Sequence, residues 1–223
     1  MSLVTANGAI VFSGTIAMPL MGAWVADLVV DKADGLTGAV EVKIAGGLTL
    51  NGTVVRGGAW FGSSHVRIVG GAGGLNRKSR AQHYRSTRVR TVLSDLARAA
   101  GETISATSEA KALDATLAAY TQLAVPIGRA VSALMGDPRL TGRSWRMLAD
   151  GTLWVGTEAW PDSGLAAPDG YQALAEQPEL ATMDFGIDAP GPTPGQLLAG
   201  RKVGLVEYSV GADAVRGRAY FEG

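Results

Sequence analysis

Several places in this sequence hold residue types that could do chemistry at their spacing. The run Gly70-Gly71-Ala72-Gly73-Gly74 invites a phosphate reading. A dinucleotide fingerprint needs Gly-x-Gly-x-x-Gly directly ahead of a helix. From Gly71 the sequence is Gly-Ala-Gly-Gly-Leu-Asn, so the third glycine is missing. No Gly-Lys-Ser/Thr occurs, which excludes a P-loop and leaves a flexible connector. Asp27, Asp31 and Asp34 resemble a calcium loop, but counting back from Gly35 puts Val30 and Lys32 where oxygen ligands belong. They read as turn acids.

Of the two histidines, His65 alternates within an apolar strand and reads as a packed residue. His83 sits in a run of cations, an unfavourable place for a charged imidazole. Spacing alone leaves a Ser-His-Asp triad open, yet no nucleophile-elbow motif supports one. Glu158 and Asp162 flank Trp160, and a pair of carboxylates beside a ring that can stack on sugar is the pattern of glycoside hydrolysis. Against that, aromatics make up only 6% of the chain, too few to mark an aromatic cleft. Finally, Arg77, Lys78, Arg80, Arg85, Arg88, Arg90 and Arg98 face a single Asp95 in sequence. The plain reading is a solvated face; the sharper one is contact with an acidic partner subunit or with passing nucleic acid. None of these places supplies a catalytic, cofactor or metal set, and the expectation is a chain that is not an enzyme and holds no cofactor.

The bulk composition agrees. With 20 basic and 20 acidic residues the 223-residue chain is neutral, unlike a phosphate-binding surface. Charged residues are only 18%, and low charge at zero net charge favours association. Without cysteine there are no disulfides, thiolate zinc sites or cysteine nucleophiles. Met1–Asn7 has no basic start of a signal peptide. The most apolar window, Ile16–Val30, is interrupted by Pro19 and Asp27 and is too short to span a bilayer. The expectation is a soluble chain.

The elements that would position these residues change character along the chain. Residues 8–69 hold β-branched or aromatic runs at 9–12, 23–30, 39–44, 48–55 and 65–69, punctuated by Asp34-Gly35, Gly46-Gly47, Asn51-Gly52 and Gly57-Gly58. Short strands at this spacing suggest a small barrel or sandwich. After the basic segment the period becomes helical: Val89, Val92, Leu93, Leu96 and Ala100 share a face, with Ser86 or Thr87 as cap and Gly101 as stop. A second helix is expected from Thr107 or Ser108 with Leu113, Leu117 and Tyr120 on one face. A third begins at Pro126, shows Ile127, Val131 and Leu134, and closes at Gly136. Residues 161–200 are irregular, and 190–195 read as a loop or linker. Two final strands, 202–210 and 214–221, would pair across Gly211-Ala212-Asp213. A Gly-Thr start and Ala-Trp end recur at 14–24, 52–60 and 151–160, with spacings too uneven for a solenoid.

Between the helices and the irregular region stands Trp145-Arg146-Met147-Leu148-Ala149-Asp150-Gly151-Thr152-Leu153-Trp154-Val155-Gly156. Asp150-Gly151 suits a two-residue turn. That register sets Met147 opposite Trp154, Leu148 opposite Leu153 and Trp145 opposite Gly156. A hairpin apolar on both faces must be buried or sit at an interface. Trp145, Met147, Leu148, Leu153, Trp154 and Trp160, with Arg85, Arg88 and Arg90, are therefore the interface candidates.

Three segments in this order resemble a known family. Gly22-Ala23-Trp24-Val25-Ala26-Asp27, the expected helix Tyr84–Ala97 and Trp145–Gly156 are similar to the baseplate hub proteins of tailed bacteriophages. That group includes the late control protein D type and the related hub of type VI secretion spikes. The resemblance covers roughly residues 13–160 and implies an α+β, mainly β fold: two small β-barrel-like parts with a helical insertion between them. The corresponding divisions are 1–75, 76–142 and 143–223, with the region after 161 as a reduced second barrel. It further implies a virion protein at the tail tip, a homotrimer whose ring joins a tail tube or distal tail protein to a central spike and lets DNA pass. The alternative is a tail-associated cell-wall hydrolase or carbohydrate-binding module built on Glu158 or Asp162.

Overall fold

A computed structural model describes residues 3–165, 173–177, 182–185, 191–211 and 214–222. The alternating runs of the first third form β1 (Val4–Ala6), β2 (Ala9–Pro19), β3 (Val25–Val30), β4 (Gly38–Ile44), β5 (Leu48–Trp60) and β6 (Ser63–Gly70). They are joined in the order β1-β4-β5-β6-β3-β2, and β1 also pairs with β2, so the six strands close into a barrel. Side chains alternate across it as period-two patterning requires. Val40, Val42 and Ile44 are buried while Glu41 and Lys43 lie outside, 2.8 Å apart as an ion pair.

The barrel does not end the sheet. β2 is 11 residues long. Its start closes the barrel against β1, through Thr5↔Ile10 and Ala6↔Ala9. A bulge between Val11 and Ser13 re-aims the strand. From Gly14 to Pro19 the edge opposite β3, where β1 has ended, then takes β14 (Arg201–Val210). Gly14 is required there, because a Cβ would sit 2.3 Å from the carbonyl oxygen of Asp27. Beyond β14 the sheet continues through β15 (Val215–Phe221) and β12 (Thr182–Phe185) to β11 (Ala173–Gln177), with the short β13 (Leu197–Leu198) beside β14. Phe185, Val206, Tyr208 and Ala219 form its core. The turn expected at Gly211-Ala212-Asp213 includes residues outside those described. The 191–195 segment is a packed loop, with Pro192 and Pro194 buried.

Between the two β parts lie β7 (Gln82–Arg88), α1 (Val89–Ala100), α2 (Ala110–Leu113), β8 (Thr116–Gln122) and α3 (Ile127–Met135). α1 has the expected apolar face and ends at Gly101, whose φ of +78° is that of a left-handed cap. Its start differs from expectation. Arg88 is the cap residue without a side-chain bond, and the Val89 N–H instead reaches the carbonyl of Ala115 at 3.0 Å. α3 begins after Pro126 and ends at Gly136 as expected. The expected helix through Leu113, Leu117 and Tyr120 is corrected: α2 has only four residues, and Leu117 and Tyr120 belong to β8, paired with β7. Residues 82–88, at the front of the stretch Tyr84–Ala97, are likewise strand. Among the described residues no helix is long and apolar enough to cross a membrane.

The last element is the hairpin β9 (Arg143–Met147) and β10 (Leu153–Thr157). Its register is one residue away from the expected one: Met147 faces Leu153, Arg146 faces Trp154 and Trp145 faces Val155. Only Gly151 has positive φ, at +80°. The Gly151 N–H bonds back to Leu148 O at 3.0 Å, and Leu148 N–H to Thr152 O at 2.8 Å. This is a three-residue loop, a type I turn followed by a glycine in the left-handed region, and it shifts the ladder by one. The slip sorts the side chains, with Trp145, Met147, Leu153 and Val155 facing inward and Arg146 and Trp154 on the other face.

Glycines let the barrel mouth close on a buried indole. Trp24 is 1% exposed, and a Cβ at Gly70 would lie 2.5 Å from its Nε1 and 2.9 Å from Met147 Cγ. Gly70→Ala therefore overpacks this contact and should lower stability by about 1–3 kcal/mol. Thermal unfolding should show a fall of several degrees, and an unchanged midpoint would mean that the indole has room to move.

Candidate functional site

The seam where the hairpin is built into the barrel gathers most of the residues that the sequence singled out. Both outer edges of the hairpin are bonded within the chain. On the β9 side, Gly22 N–H donates to Trp145 O at 3.0 Å and Met147 N–H to Gly22 O at 2.9 Å. On the β10 side, Leu153 N–H reaches Thr103 O, Ser105 N–H reaches Leu153 O and Glu109 N–H reaches Val155 O, each at 2.8 Å. The loop tip docks on the barrel, with Asn51 N–H bonding to Ala149 O at 2.7 Å. Trp145 donates its Nε1–H to Ser132 Oγ of α3 at 3.0 Å.

The glycine run at 70–74 closes round an anion after all, and the anion is the chain's own. Glu102, just past the end of α1, accepts from Ala72 N–H at 2.8 Å and from Gly74 N–H at 3.2 Å. A Cβ at Gly71 would lie 2.3 Å from Glu102 Oε2, and one at Gly74 would lie 1.8 Å from Ala100 O. Burial pushes the Glu102 carboxyl above its usual range, while the backbone donors and the nearby Arg77 oppose the rise. Sequence reasoning missed Glu102 because its partners lie about 30 residues earlier and are backbone groups. The only available sign was an acid following the helix-stopping Gly101.

A second carboxylate is also engaged. Glu158 pairs with Arg146, and Gly195 packs on the pair, where a Cβ would come within 2.5 Å of Glu158 Oε2. Burial pushes the Glu158 carboxyl up, and Arg146 pulls it back. The Arg146 guanidinium also covers the Trp154 ring at 4.4 Å. Asp162 accepts instead from Gly164 N–H at 2.9 Å in its own turn. Trp160, half-buried at φ +51°, lies under Lys202 Nζ at 5.0 Å. Beside this group is a cleft of about 360 Å³ between Met18, Pro19, Met147, Leu148, Asp150 and Pro194.

The predicted residues therefore separate. Trp145, Met147 and Leu153 are buried in the chain's own core, at 4%, 4% and 0% exposure. Leu148, Trp154 and Trp160 are half-buried, and Trp154, not Trp145, covers Gly156. Arg85, Arg88 and Arg90 are exposed; Arg90 pairs with Asp114 at 3.3 Å and Arg88 with the same acid at 3.8 Å. Arg85 donates to His83 Nε2 at 3.5 Å. Among the described residues no three His, Asp or Glu side chains converge as a metal set would.

No family model matches the sequence, and no curated protein matches it. Solved structures match in shape. One is the E. coli c3393 protein, described as a component of the type VI secretion system with structural similarity to the T4 bacteriophage tail proteins gp27 and gp5. It is 13% identical at TM-score 0.67, over 99% of this chain and 77% of that one. The 43 kDa tail protein of prophage MuSo2 from Shewanella oneidensis is 9% identical at TM-score 0.67, over 97% of this chain and 95% of that one. This is a tail-protein fold. A tail protein from Neisseria meningitidis MC58 gives 14% identity and TM-score 0.66, over 99% of this chain and 96% of that one. At these identities the likeness is one of fold, and at that level the resemblance drawn from the sequence is met.

The carboxylate inside the glycine loop gives a measurable expectation. Glu102→Ala leaves the Ala72 and Gly74 N–H groups without their acceptor, at about 1–3 kcal/mol for each group left unsatisfied. The folded carboxyl sits above its ordinary 4.5, so the folded chain keeps this proton where the unfolded chain has lost it. Its contribution is thus greatest below the unfolded value and falls as pH rises through the folded one. Urea denaturation should show the advantage of the parent chain over Glu102→Gln shrinking across that window. Parallel pH profiles would place the titration elsewhere.

Proposed function

We propose that this chain is a structural, non-enzymatic subunit of a phage-type tail: a baseplate hub whose copies form a ring between tail tube and central spike, with an opening for DNA. The observation that carries the reading is the extent of the shared fold, which takes in 97–99% of this chain against three proteins, two of them named as tail proteins. On this reading residues 1–75 are the first β part, 76–142 the insertion and 143–223 the second β part. Three copies carrying two β parts each would present six wall elements, the count needed to face a six-fold tube on one side and a three-fold spike on the other. The continuous sheet through β2 supports it, because two β parts that share a strand move as one block. Zero net charge suits a channel wall that must let a polyanion pass without holding it. Trp154, Trp160 and Arg85 remain the candidates for contacts between copies or with the adjoining tail components, and the virion tail tip is the place where the chain would act.

A hydrolytic or sugar-binding role at Glu158 would need that carboxylate available to substrate, and here it is held by Arg146 beneath Gly195. Light scattering and negative-stain imaging of the purified chain test the hub reading. The expected result is a three-copy ring with a central opening, formed equally by Glu158→Gln. A stable monomer, alone and with tube and spike proteins added, would overturn it. So would a cell-wall lytic activity that disappears in Glu158→Gln.

A further inference from the structure

Where the barrel, the insertion and the hairpin meet, a second cleft opens, of about 390 Å³. Its apolar wall is the pair Val25 and Val69 on β3 and β6, with the buried Leu75 and Trp145. Three polar side chains also line it: Arg67 from β6, Arg129 from α3 and Asn76 from the turn Gly74–Asn76. Among the described residues no carboxylate does. Arg67 has Asp27 at 3.8 Å, beyond hydrogen-bond reach. Among the described residues the side chains of Arg129 and Asn76 have neither a hydrogen bond nor an ion pair. With Asp27 counted, the two guanidinium groups leave a net charge of +1 around this space.

The cleft is also kept open by a glycine that the fold does not require. Gly128 lies in the first turn of α3, in ordinary helical backbone, where alanine is the more favourable residue. A Cβ at Gly128 would meet Leu75 and Trp145 at 3.6–3.7 Å, which are normal contact distances. The chain could therefore accept a side chain at this position. That side chain would stand in the cleft, between two of its walls. A mostly apolar pocket at the junction of structural units, with a few convergent polar groups, is the usual form of a small-ligand site.

We propose that this cleft binds a monoanionic carboxylate carried on an apolar body, with the carboxylate between Arg67 and Arg129 and the apolar part against Val25, Val69 and Leu75. A planar carboxylate suits guanidinium forks, which can hold both of its oxygens. The Asn76 amide adds a neutral donor. A net charge of +1 matches a monoanion and leaves a phosphate dianion under-compensated. The carboxylate belongs either to a free organic acid or to the C-terminus of a chain with an apolar last residue. The site does not depend on the hub reading, and its test reads binding rather than assembly.

Calorimetric titration of the purified chain with hexanoate, N-acetyl-leucine and N-acetyl-leucine amide tests it. Both acids should bind, and the amide, which lacks the charge, should be weaker than its acid by about tenfold or more. Tighter binding of N-acetyl-leucine assigns the site to a chain terminus, and tighter binding of hexanoate to a free acid. Arg129→Gln removes no contact within the described chain, so it should melt with the parent and lose about tenfold or more in affinity for both acids. Gly128→Ala should melt at or above the parent temperature, because alanine favours the helix, yet bind the acids more weakly. No binding of either acid by the parent chain, or an amide that binds as well as its acid, would overturn the proposal. So would inorganic phosphate binding more tightly than both acids, or unchanged affinity in the two variants.

Discussion

β2 is paired on both edges over part of its length, and the architecture depends on that sharing. From Gly14 to Ala17 it lies between β3 and β14, while its first residues close the barrel with β1. A closed barrel has no edge left to offer, so a second sheet can join it only where a strand leaves the closure and exposes its other side. The bulge at Val11–Ser13 and the missing side chain at Gly14 make that departure possible. Any relative movement of the two β parts would have to break the β2–β14 ladder, which spans six residue pairs.

The same economy explains the glycine content. Two of the large buried aromatic residues pack on bare glycine backbone. Trp24 lies against Gly52 and Gly70, and Phe185 against Gly191 and Gly217, where a Cβ on the glycine would come within 2.0–2.7 Å of the ring. Each such slot brings a flat ring close to the next strand and builds a core from few large residues. The glycine loop at 70–74 follows similar logic with a polar partner. Its Gly70 and Gly71 N–H groups bond to Trp24 O and Asn51 O, and the Glu102 carboxylate takes those of Ala72 and Gly74. That internal anion occupies the ground on which a nucleotide reading would have stood.

How far the sequence could be read depended on whether local pattern and tertiary pairing agreed. They agreed in β3, β4 and the first half of β5, where alternation alone sets the buried face, and in α1 and α3, where the apolar stripe and the stop glycines coincide; on β6 the alternation holds, but His65, read as packed, is on the exposed side. They disagreed at Leu113, Leu117 and Tyr120, whose spacing of four and three is helical. There the chain pairs with the Gln82–Arg88 strand, and pairing overrides a weak propensity. The hairpin was legible as a hairpin but not in register, because Asp150 keeps negative φ and the loop gains a residue. One step of slip moved Trp154 from the apolar face to a place beneath Arg146. Of the site, the Trp and Met anchors were visible. The Glu102 and Arg146–Glu158 arrangements were not, since nothing local in sequence announces a partner that lies across the fold.

Identities of 9–14% with proteins that share nearly the whole fold follow from these constraints. Closure of the barrel asks for alternation and for a few positions without a side chain, and many sequences meet both. The surface is where a chain of this fold distinguishes itself. Here it segregates charge within a neutral total: residues 56–98 hold nine basic residues and one acid, and residues 158–223 hold ten acids and four bases. A neutral chain has no long-range repulsion between copies, and separated charge gives their approach a preferred direction. The fold supplies one block in which β2 joins the two β parts, and the charge it carries is set outside that shared core.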